Sequence, residues 1–184
     1  ARRALAELNR RGALDLPAAT PFPAGPRQAP APPPAAAGPV ADVAGDLATL
    51  GPIDLVRVTT DAERNTYHQL MAQHPLGDAP LSGAQLRYLF HSAQGYLGAA
   101  AFQSASFALK DRDQWIGWNE ATRRGNLARV VANARFLIRP GVTVPHLASH
   151  LLGQLARRLP ADWEARYGVR PLLLETFIHP DHEG

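Results

Sequence analysis

Apolar and polar positions alternate in short runs along the central part of the chain, and each run predicts an element of secondary structure. Ile53–Val58 alternates apolar residues with polar or charged ones, which is typical of a strand. Thr60 and Glu63 are spaced as a capping box, so a helix is expected to begin there and to extend to about Gln73. Pro75 then ends it, because the residue before a proline is pushed out of the α region.

Two apolar runs and two helical stretches follow. Gln85–Phe90 and Tyr96–Phe102 flank a polar turn and predict an antiparallel hairpin. A helix is expected over Ser104–Trp115, and a second one is expected to be capped by Asn119 and to reach about Asn133. The apolar residues assigned to the buried face of this second helix are Leu127, Val130, Val131 and Ala134.

The last part of the chain predicts a strand, a long helix and a final strand. Phe136–Ile138 is a short apolar strand, and Pro145 fits the first turn of a helix that extends to about Leu159. Asp162–Tyr167 predicts a separate short helical turn. Pro171–Ile178 has a continuous apolar run, which favours a covered, central strand. The apolar stripe of the long helix is Leu147, Leu151, Leu152, Leu155 and Leu159.

The element order β-α-ββ-αα-β-α-β predicts a mixed α/β (α+β) domain, with a mixed central sheet and flanking helices. Three regions are expected along the chain. Residues 1–17 predict the end of a helix with a cap at Gly12. Residues 18–40 are dominated by Pro and Ala, cannot bury enough apolar surface to fold, and are expected to be a linker. Residues 41–184 form the main domain.

Composition excludes several classes of site. The chain has 184 residues, 46% of them hydrophobic, which is enough for one domain with tails. It has no cysteine, so disulfides and thiolate metal sites are excluded. No stretch approaches the roughly 18 consecutive apolar residues of a membrane span, so we expect no membrane partner and a cytoplasmic location. Because the chain begins with Ala1 and stops at Gly184 shortly after an apolar run, we expect it to be a piece of a longer protein.

Nearly all of the positive charge is carried by arginine. The formal net charge is +3 and the isoelectric point is about 9.8, and Lys110 is the only lysine. Guanidinium groups suit bidentate contacts with phosphate or carboxylate. A GC-rich genome explains the same bias toward Arg, Ala, Pro and Gly. The charge therefore permits contact with nucleic acid without requiring it.

An arginine- and asparagine-rich stretch of the second predicted helix is the candidate nucleic-acid interface. Such side chains can donate to phosphates and to base edges. The alternative is an ordinary solvated helix face. The candidate nucleic-acid-binding residues are Arg123, Arg124, Asn126 and Arg129.

A carboxylate within an apolar strand is the candidate for catalysis. Glu175 lies in the last predicted strand, where an unpaired charge would be costly. Arg87 and Arg135 lie in or beside other predicted strands, so one explanation is a glutamate–arginine ion pair across the sheet. The alternative makes Glu175 a general base or a ligand-orienting group, with Arg135 as the second candidate catalytic residue.

The segment before the arginine-rich helix contains two further pairs of residues. Asp111 and Asp113 could hold a divalent cation, but no third ligand is visible, and a salt bridge at a helix end is favoured. Trp115 and Trp118 are expected to anchor the edge of the core, with stacking on bases as the alternative.

The seven histidines form no metal signature. His146 and His150 lie four apart on one helix, but the glutamate of a HExxH zinc motif is missing between them. No metal site is therefore predicted. Ser149 lies outside a GxSxG elbow, which disfavours a hydrolase.

Distinctive segments recur in order through the main domain. They are HPLG (74–77), GAQLRYL (83–89), RDQWIGW (112–118), RRGNLARVVANARFLI (123–138), VPHLASHLLG (144–153), DWEARYG (162–168) and LLLETFI (172–178). Together they resemble the DruA family, whose protein names the Druantia anti-phage defence system and also occurs beside or fused to transposases. The resemblance implies a role in bacterial defence. It also implies that residues 1–17 are the remnant of a winged-helix-like region.

Two positions depart from that family's pattern. Gly141 stands where the family usually has Trp, and His179 stands where it usually has an acidic residue, so no carboxylate role is carried over to that position. The family's next conserved stretch would begin near Gly184. The main domain is therefore expected to be truncated at its C-terminus.

The element order is also loosely reminiscent of the GNAT acyltransferase fold, in which a hairpin is followed by a strand–helix–strand unit. Those enzymes bind acetyl-CoA through a loop before the long helix. Here only Arg139 and one early glycine of that loop are present, and prolines remove two amide donors. This likeness does not carry the cofactor with it, and the cofactor stays unknown.

Three hypotheses on function follow. The first is a DruA-like defence component that acts on DNA or is recruited to it, with other defence-system or transposase proteins as partners; an accessory role beside a transposase is its variant. The second is an enzyme with a transferase-like site around Glu175, Arg135 and Arg139. The third is a scaffold that contacts only other defence proteins, which predicts no salt-dependent binding of DNA.

Overall fold

The computed structural model of the chain describes residues 42–177. The expectations for residues 1–17, for the linker at 18–40 and for His179 fall outside this range. Among the helices of residues 42–177, none is long and apolar enough to cross a bilayer.

A five-stranded mixed sheet forms the centre of the fold. In chain order the strands of the described residues are β1 (Val43–Ala44), β2 (Asp54–Arg57), β3 (Gln85–Ser92), β4 (Gly95–Ser104), β5 (Val130–Ile138), β6 (Val142–Thr143) and β7 (Leu173–Thr176). The large sheet has the order β2–β3–β4–β5–β7, and β1 pairs with β6 in a short parallel ladder. Neighbours in the large sheet are antiparallel except β5 and β7, which are parallel. The predicted mixed α/β class is confirmed.

Helices lie on both faces of this sheet. In chain order they are α1 (Leu47–Leu50), α2 (Asp61–Met71), α3 (Lys110–Ile116), α4 (Glu120–Asn126) and α5 (Leu147–Tyr167), and a 3₁₀ turn (Leu127–Arg129) follows α4. The short elements β1, α1 and β6 have no counterpart in the predicted order, because two to four residues are too few to show a period.

Local sequence fixes where two of the helices begin. The hydroxyl of Thr60 accepts from the backbone N–H of Glu63 at 3.2 Å, and Oε2 of Glu63 accepts from the N–H of Thr60 at 2.8 Å, which confirms the capping box of α2. The helix ends at Met71, two residues earlier than predicted. At α4, Oδ1 of Asn119 accepts from the N–H of Thr122 at 2.8 Å, so this predicted cap is also confirmed.

Helix α5 covers one face of the sheet with a single apolar stripe. This stripe packs against Tyr88 and Phe102 of the hairpin. The prediction that Leu152 belongs to it is wrong, since that side chain is 37% exposed and points away from the sheet's core cluster. The buried residues of the stripe recur at intervals of four, and they are Leu147, Leu151, Leu155, Leu159 and Trp163.

Helix α2 covers part of the opposite face. Its buried residues Tyr67 and Met71 pack in one cluster with Leu89 of β3 and Leu137 of β5. The two clusters lie on opposite sides of the sheet because successive side chains of a strand point to opposite faces. Their presence explains why β4, in the middle of the sheet, is apolar from Tyr96 to Phe102.

The predicted hairpin is confirmed, and both strands are longer than expected. As a result, the prediction that the next helix begins at Ser104 is wrong. Ser104 is the last residue of β4 and pairs with Val131 of β5, and α3 begins only at Lys110. The partner strand lies far along the chain, so local periodicity does not reveal that the ladder continues past the apolar run.

The prediction that the second helix continues to residue 133 is also wrong. The helix α4 ends at Asn126, and Val130 starts β5. Val130 and Val131 are buried in the sheet rather than on a helix face, while Leu127 lies in the 3₁₀ turn and Ala134 is the extra residue of a bulge opposite β4. β5 is flanked by β4 and β7, which satisfy its backbone groups on both sides, and its valines favour a strand.

The long helix and the short helical turn predicted after it are one continuous helix. Pro160 lies inside α5, where it removes a backbone donor. The helix nevertheless continues, because Leu159 and Trp163 on either side of the proline are 2% and 3% exposed and both pack on the sheet. Gly168 ends the helix with φ 71°, as the sequence predicts.

The last strand lies at an edge of the five-stranded sheet. The prediction of a central position is therefore wrong for the described residues, in which β7 pairs only with β5. Leu172 and Phe177, which flank it, are 73% and 62% exposed. The apolar run of this strand reflects packing under α5 and pairing on one side rather than burial on both sides.

Candidate functional site

An arginine of α3 is the centre of a buried group of charges. Nε and Nη2 of Arg112 donate to Oδ1 of Asp113 at 3.0 and 2.9 Å. Its Nη1 donates to the carbonyl oxygen of Ser106 at 3.0 Å and to Oε2 of Glu175 at 3.4 Å. The side chain of Arg112 is 5% exposed, so these contacts take the place of water around the guanidinium.

A second arginine completes this group, which we call the Arg112 cluster (Arg112, Asp113, Arg123 and Glu175). Nη1 of Arg123 donates to Oδ2 of Asp113 at 3.1 Å, and its guanidinium lies 4.9 Å from the ring centroid of Phe107. Burial opposes ionisation of Asp113, but hydrogen bonds from Arg112 and Arg123 outweigh it and hold the pKa of this carboxyl below its ordinary value. The salt bridge expected for Asp113 is confirmed.

The Arg112 cluster is neutral but not fully satisfied. Two guanidinium groups face two carboxylates. Within the described residues, Oε1 of Glu175 and Nε of Arg123 are buried without a hydrogen-bond partner. The cluster therefore retains one unused acceptor and one unused donor, and such atoms are uncommon in folded proteins.

The prediction that Glu175 pairs with an arginine is confirmed, but the partner is neither Arg87 nor Arg135. The glutamate is paired with an arginine, but that arginine comes from α3 and not from a neighbouring strand. Arg135 instead donates from Nε to the carbonyl oxygen of Gly77 at 3.1 Å and from Nη1 to that of Ala134 at 2.6 Å. Within residues 42–177 no hydrogen bond or ion pair joins Glu175 to Arg135, so their shared catalytic role stays a prediction.

The sequence pattern assigns no role to Arg112, which stands between Asp111 and Asp113. The signal that could have identified it is the position of a basic residue in a short helix beside a buried strand carboxylate. That signal needs the tertiary contact between α3 and β7. Of the flanking aspartates, Asp113 is buried and Asp111 is exposed.

The four predicted nucleic-acid-binding residues all lie on α4 and the 3₁₀ turn. Arg123 belongs to the Arg112 cluster. Arg124 forms an exposed ion pair with Glu120 at 2.5 Å, and Nδ2 of Asn126 donates to the carbonyl oxygen of Thr122 at 2.9 Å. The remaining residue of the four, Arg129, is exposed.

Two cavities open at the end of the sheet where β3 and β5 begin. The smaller has a volume of about 370 Å³, and Arg124 of α4 and Ala128 are among its lining residues. The larger, which we call the arginine cleft, has a volume of about 790 Å³. Both cavities are lined by Ala84 and Tyr167, so they adjoin. The arginine cleft takes its name from four of its lining residues, Arg57, Arg64, Arg87 and Arg166.

The arginine cleft is not predicted by the sequence pattern. Its arginines come from β2, α2, β3 and α5, so no spacing along the chain connects them. Arg87 was considered only as a partner for Glu175. A basic cleft of this kind becomes visible only once the sheet order is known.

The two tryptophans of the predicted core edge behave differently. Trp115 of α3 is 82% exposed, so the prediction that it anchors the core is wrong for this residue. Trp118 is half-buried. Trp163 of α5, which sequence reasoning did not single out, is the tryptophan of the core and is 3% exposed.

The remaining candidate positions have structural contacts. Arg139, in the loop compared with the acetyl-CoA loop of GNAT enzymes, is 5% exposed and donates from Nε to the carbonyl oxygen of Tyr96 at 2.7 Å. Nε2 of His150 lies 2.7 Å from Nε2 of Gln154 on the next turn of α5. Within residues 42–177, no group of three or more His, Asp or Glu side chains is placed to hold a metal ion.

Comparison with known families decides what this domain is. The family model of the Druantia protein DruA matches residues 27–182, which is most of the chain. The chain belongs to the DruA family. It is thus a component of a Druantia defence system. No curated protein and no solved structure matches the chain, so the likeness of this DruA-family fold to GNAT enzymes stays a prediction.

Proposed function

We propose that this DruA-family protein acts on nucleic acid within its defence system, and that α4 and the turn after it contact the phosphate backbone. The observation that carries the proposal is the pair of exposed arginines, Arg124 and Arg129, on one short segment at the end of the sheet. Arginine is suited to this role because its planar fork can donate two parallel hydrogen bonds to one phosphate.

Arg124 is available for an external partner despite its ion pair. The side chains of Arg124 and Glu120 are 65% and 64% exposed. An ion pair in that position contributes little, about 0–1 kcal/mol, so a phosphate can displace the carboxylate. The side chain of Arg129 has no carboxylate partner among the described residues.

The other two predicted residues position this surface in the proposal. Arg123 connects α4 to the buried Asp113 at 3.1 Å. Asn126 closes the last turn of α4 through the carbonyl oxygen of Thr122. A fixed helix keeps the two exposed arginines in a constant geometry, which lowers the entropy lost when a ligand is bound.

The test is a fluorescence-anisotropy titration of the full chain with labelled duplex and single-stranded DNA at several salt concentrations. We expect binding that weakens with salt, and a log–log salt slope that is smaller by about 1–2 in the double variant Arg124→Ala/Arg129→Ala, since each phosphate contact contributes about 0.9 on duplex DNA. Arg157→Ala is the control for each single exchange, because it removes one positive charge from the exposed side of α5 as Arg124→Ala or Arg129→Ala does from the proposed interface. Equal slopes in the double variant and in the wild type would refute the proposal.

A second candidate function, transferase-like chemistry, is favoured by one observation. Oε1 of Glu175 is buried without a hydrogen-bond partner among the described residues, as expected of a carboxylate that awaits a substrate proton. Native mass spectrometry of the purified chain tests it. A retained nucleotide or CoA that is lost in Glu175→Gln supports this candidate, and the bare polypeptide mass speaks against it. A scaffold role that needs only protein partners predicts neither a retained ligand nor binding to DNA.

A further inference from the structure

The arginine cleft lies where the edge of the sheet is incomplete. β2 ends at Arg57, which pairs with Tyr88. β3 begins at Gln85, so it extends beyond the end of β2. The hydroxyl of Tyr167 takes the place of a strand partner there: it accepts from the N–H of Gln85 at 2.9 Å and donates to its carbonyl oxygen at 2.8 Å. The backbone edge is thereby satisfied, and the space beside it remains open as a cleft of about 790 Å³.

Arginines reach this cleft from both faces of the sheet. Arg57 lies opposite Tyr88, on the face that α5 covers, and Arg166 comes from α5 itself. Arg64 comes from α2 on the other face, where Arg87 lies with its guanidinium 5.4 Å from the ring centroid of Tyr67. Arg57 and Arg64 are close in the chain, but Arg87 and Arg166 are distant from them and from each other, so only the closed sheet brings the four cations together.

The cleft contains no carboxylate among its lining residues. The nearby Glu63 is occupied, since its Oε2 accepts from the backbone N–H groups of Thr59 and Thr60 at 2.6 and 2.8 Å. Arg64 forms an ion pair with Asp61, but the side chains are 47% and 91% exposed, so this pair is easily exchanged. The positive charge of the cleft is therefore not neutralised from within.

One donor remains unused inside the cleft. Nε of Arg87 is buried without a hydrogen-bond partner among the described residues. Arg57 has no hydrogen bond or ion pair from its side chain in the same range, and Arg166 makes only a ring contact with Tyr167, at 5.8 Å from the centroid. An unpartnered guanidinium nitrogen in a buried position indicates that a ligand acceptor is missing from its environment.

We propose that the arginine cleft is a binding site for phosphate groups. Its volume falls within the range of about 300–1,000 Å³ that is usual for ligand pockets. Arginines on both sides of the sheet edge suit a ligand with more than one phosphate, such as a di- or triphosphate or the backbone of a nucleic acid. Arg57 and Arg166 bind one end of this ligand, and Arg64 and Arg87 bind the other.

This site goes beyond the nucleic-acid contact proposed for α4 and does not depend on it. The two surfaces adjoin, because Ala84 and Tyr167 line both the arginine cleft and the cavity beside Arg124. A nucleic acid bound at α4 would thus have a neighbouring site for a phosphate of the same strand. A free nucleotide would occupy the cleft alone.

The experiment is isothermal titration calorimetry of the full chain with three probes: inorganic pyrophosphate, ATP, and an oligonucleotide with or without a 5′-phosphate. The variant Arg57→Gln/Arg166→Gln removes two cations from the accessible side of the cleft. Arg166→Gln and Arg157→Gln each remove one exposed cation, so Arg157→Gln is the charge-matched control for Arg166→Gln. We expect the cleft variant to bind pyrophosphate and ATP at least tenfold more weakly, with the control unchanged. Thermal unfolding of each variant verifies that the fold is retained.

The outcomes of these titrations distinguish the phosphate site in the cleft from the interface proposed for α4. If the cleft variant loses pyrophosphate while Arg124→Ala/Arg129→Ala retains it, the phosphate site is supported, even if no DNA binds at all. A preference for the 5′-phosphorylated oligonucleotide over ATP identifies nucleic acid as the source of the phosphate, and the reverse preference identifies a free nucleotide. If no probe binds, or if the cleft variant and the control bind equally well, the proposal is overturned. Should Arg57→Gln/Arg166→Gln fail to fold, Arg166→Gln alone repeats the comparison, because that side chain is exposed.

Discussion

Nη1 of Arg112 lies 3.4 Å from Oε2 of Glu175, although the two residues are 63 positions apart in the chain. This contact joins the helix α3 to the edge strand β7, and both side chains are nearly buried, at 5% and 11% exposure. The arginine therefore compensates a charge that would otherwise be isolated at the end of the sheet. Its importance for stability can be measured.

Replacing Arg112 should destabilise the fold strongly. Arg112→Met keeps much of the side-chain volume but leaves Asp113 and Glu175 without their shared cation, so we expect the free energy of unfolding to fall by about 3–5 kcal/mol. Urea denaturation followed by circular dichroism measures this change. Arg170→Met is the control, because it breaks an exposed pair with Glu164 and should change stability by less than about 1 kcal/mol. Similar losses in both variants would show that the buried contact has no special weight.

Gly98 should not tolerate a side chain. A Cβ at this position of β4 would lie 2.0 Å from the carbonyl oxygen of Leu137 in the neighbouring strand, and a backbone atom cannot move aside easily. We expect Gly98→Ala to lower the free energy of unfolding by about 3 kcal/mol or more, as overpacking of a well-packed interior does at its upper end. Thermal and urea denaturation both report this loss.

The matched control for that substitution is Gly153→Ala. Gly153 lies within α5, where a Cβ would meet only the end of the Arg157 side chain at 3.7 Å. Alanine favours a helix over glycine by about 0.5–1 kcal/mol, so this variant should be as stable as the wild type or more stable. Equal behaviour of the two alanine variants would contradict the close approach of β4 and β5.

Replacing the buried Trp163 should destabilise the protein much more than replacing the exposed Trp115. Trp163 packs between α5 and the sheet, so Trp163→Ala is expected to lower the free energy of unfolding by about 3–5 kcal/mol. Trp115 is 82% exposed, so Trp115→Ala should lower it by no more than about 0.5 kcal/mol. Quenching of tryptophan fluorescence by iodide provides an independent check, because Trp115→Ala should remove most of the quenchable signal.

The capping box of α2 should make stability depend on pH in the acid range. Hydrogen bonds from the backbone N–H groups of Thr60 and Thr59 lower the pKa of Glu63 from 4.5 to about 2. Because the folded-state pKa is depressed, this contribution to stability is fully present above about pH 4.5 and is lost as the pH falls toward 2. Glu63→Gln should therefore show a smaller decline of the free energy of unfolding between these two pH values.

Urea denaturation at a series of pH values measures that decline. A residual slope is expected in Glu63→Gln, since the lowered pKa of Asp113 contributes in the same direction. Glu164→Gln removes an equal charge from α5 and is the control. An unchanged slope in Glu63→Gln would mean that the cap contributes nothing in the folded state.

Predictions from short-range signals were the accurate ones. The capping box at Thr60 and Glu63 placed the start of α2, and the apolar runs around a polar turn placed the hairpin. The errors occurred where a distant partner decides the local structure. Val130 and Val131 fit a helix by spacing alone, and they form a strand because β4 and β7 are present on both sides.

At the candidate site, too, the sequence predicts what depends on neighbouring residues and does not predict what depends on distant ones. The sequence offers an ion pair with an arginine as one of two explanations for Glu175 in an apolar strand, and the structure contains such a pair. It could not name Arg112 as the partner, because the choice depends on where α3 crosses the sheet. The exposure of Trp115 was missed for the same reason, since its spacing from Trp118 does not reveal which helix face the core occupies.

The sequence by itself determined the mixed α/β class, the capped helix α2, the hairpin and the membership of the DruA family, because these depend on residues that are close in the chain or on ordered segments. Only the tertiary structure decided the edge position of β7, the continuity of α5 through Pro160, the Arg112 cluster and the arginine cleft. Each of these depends on contacts between residues that are far apart in the chain. The free energy of such contacts comes from burial and charge pairing in the folded state, so the local periodicity of the sequence does not predict them.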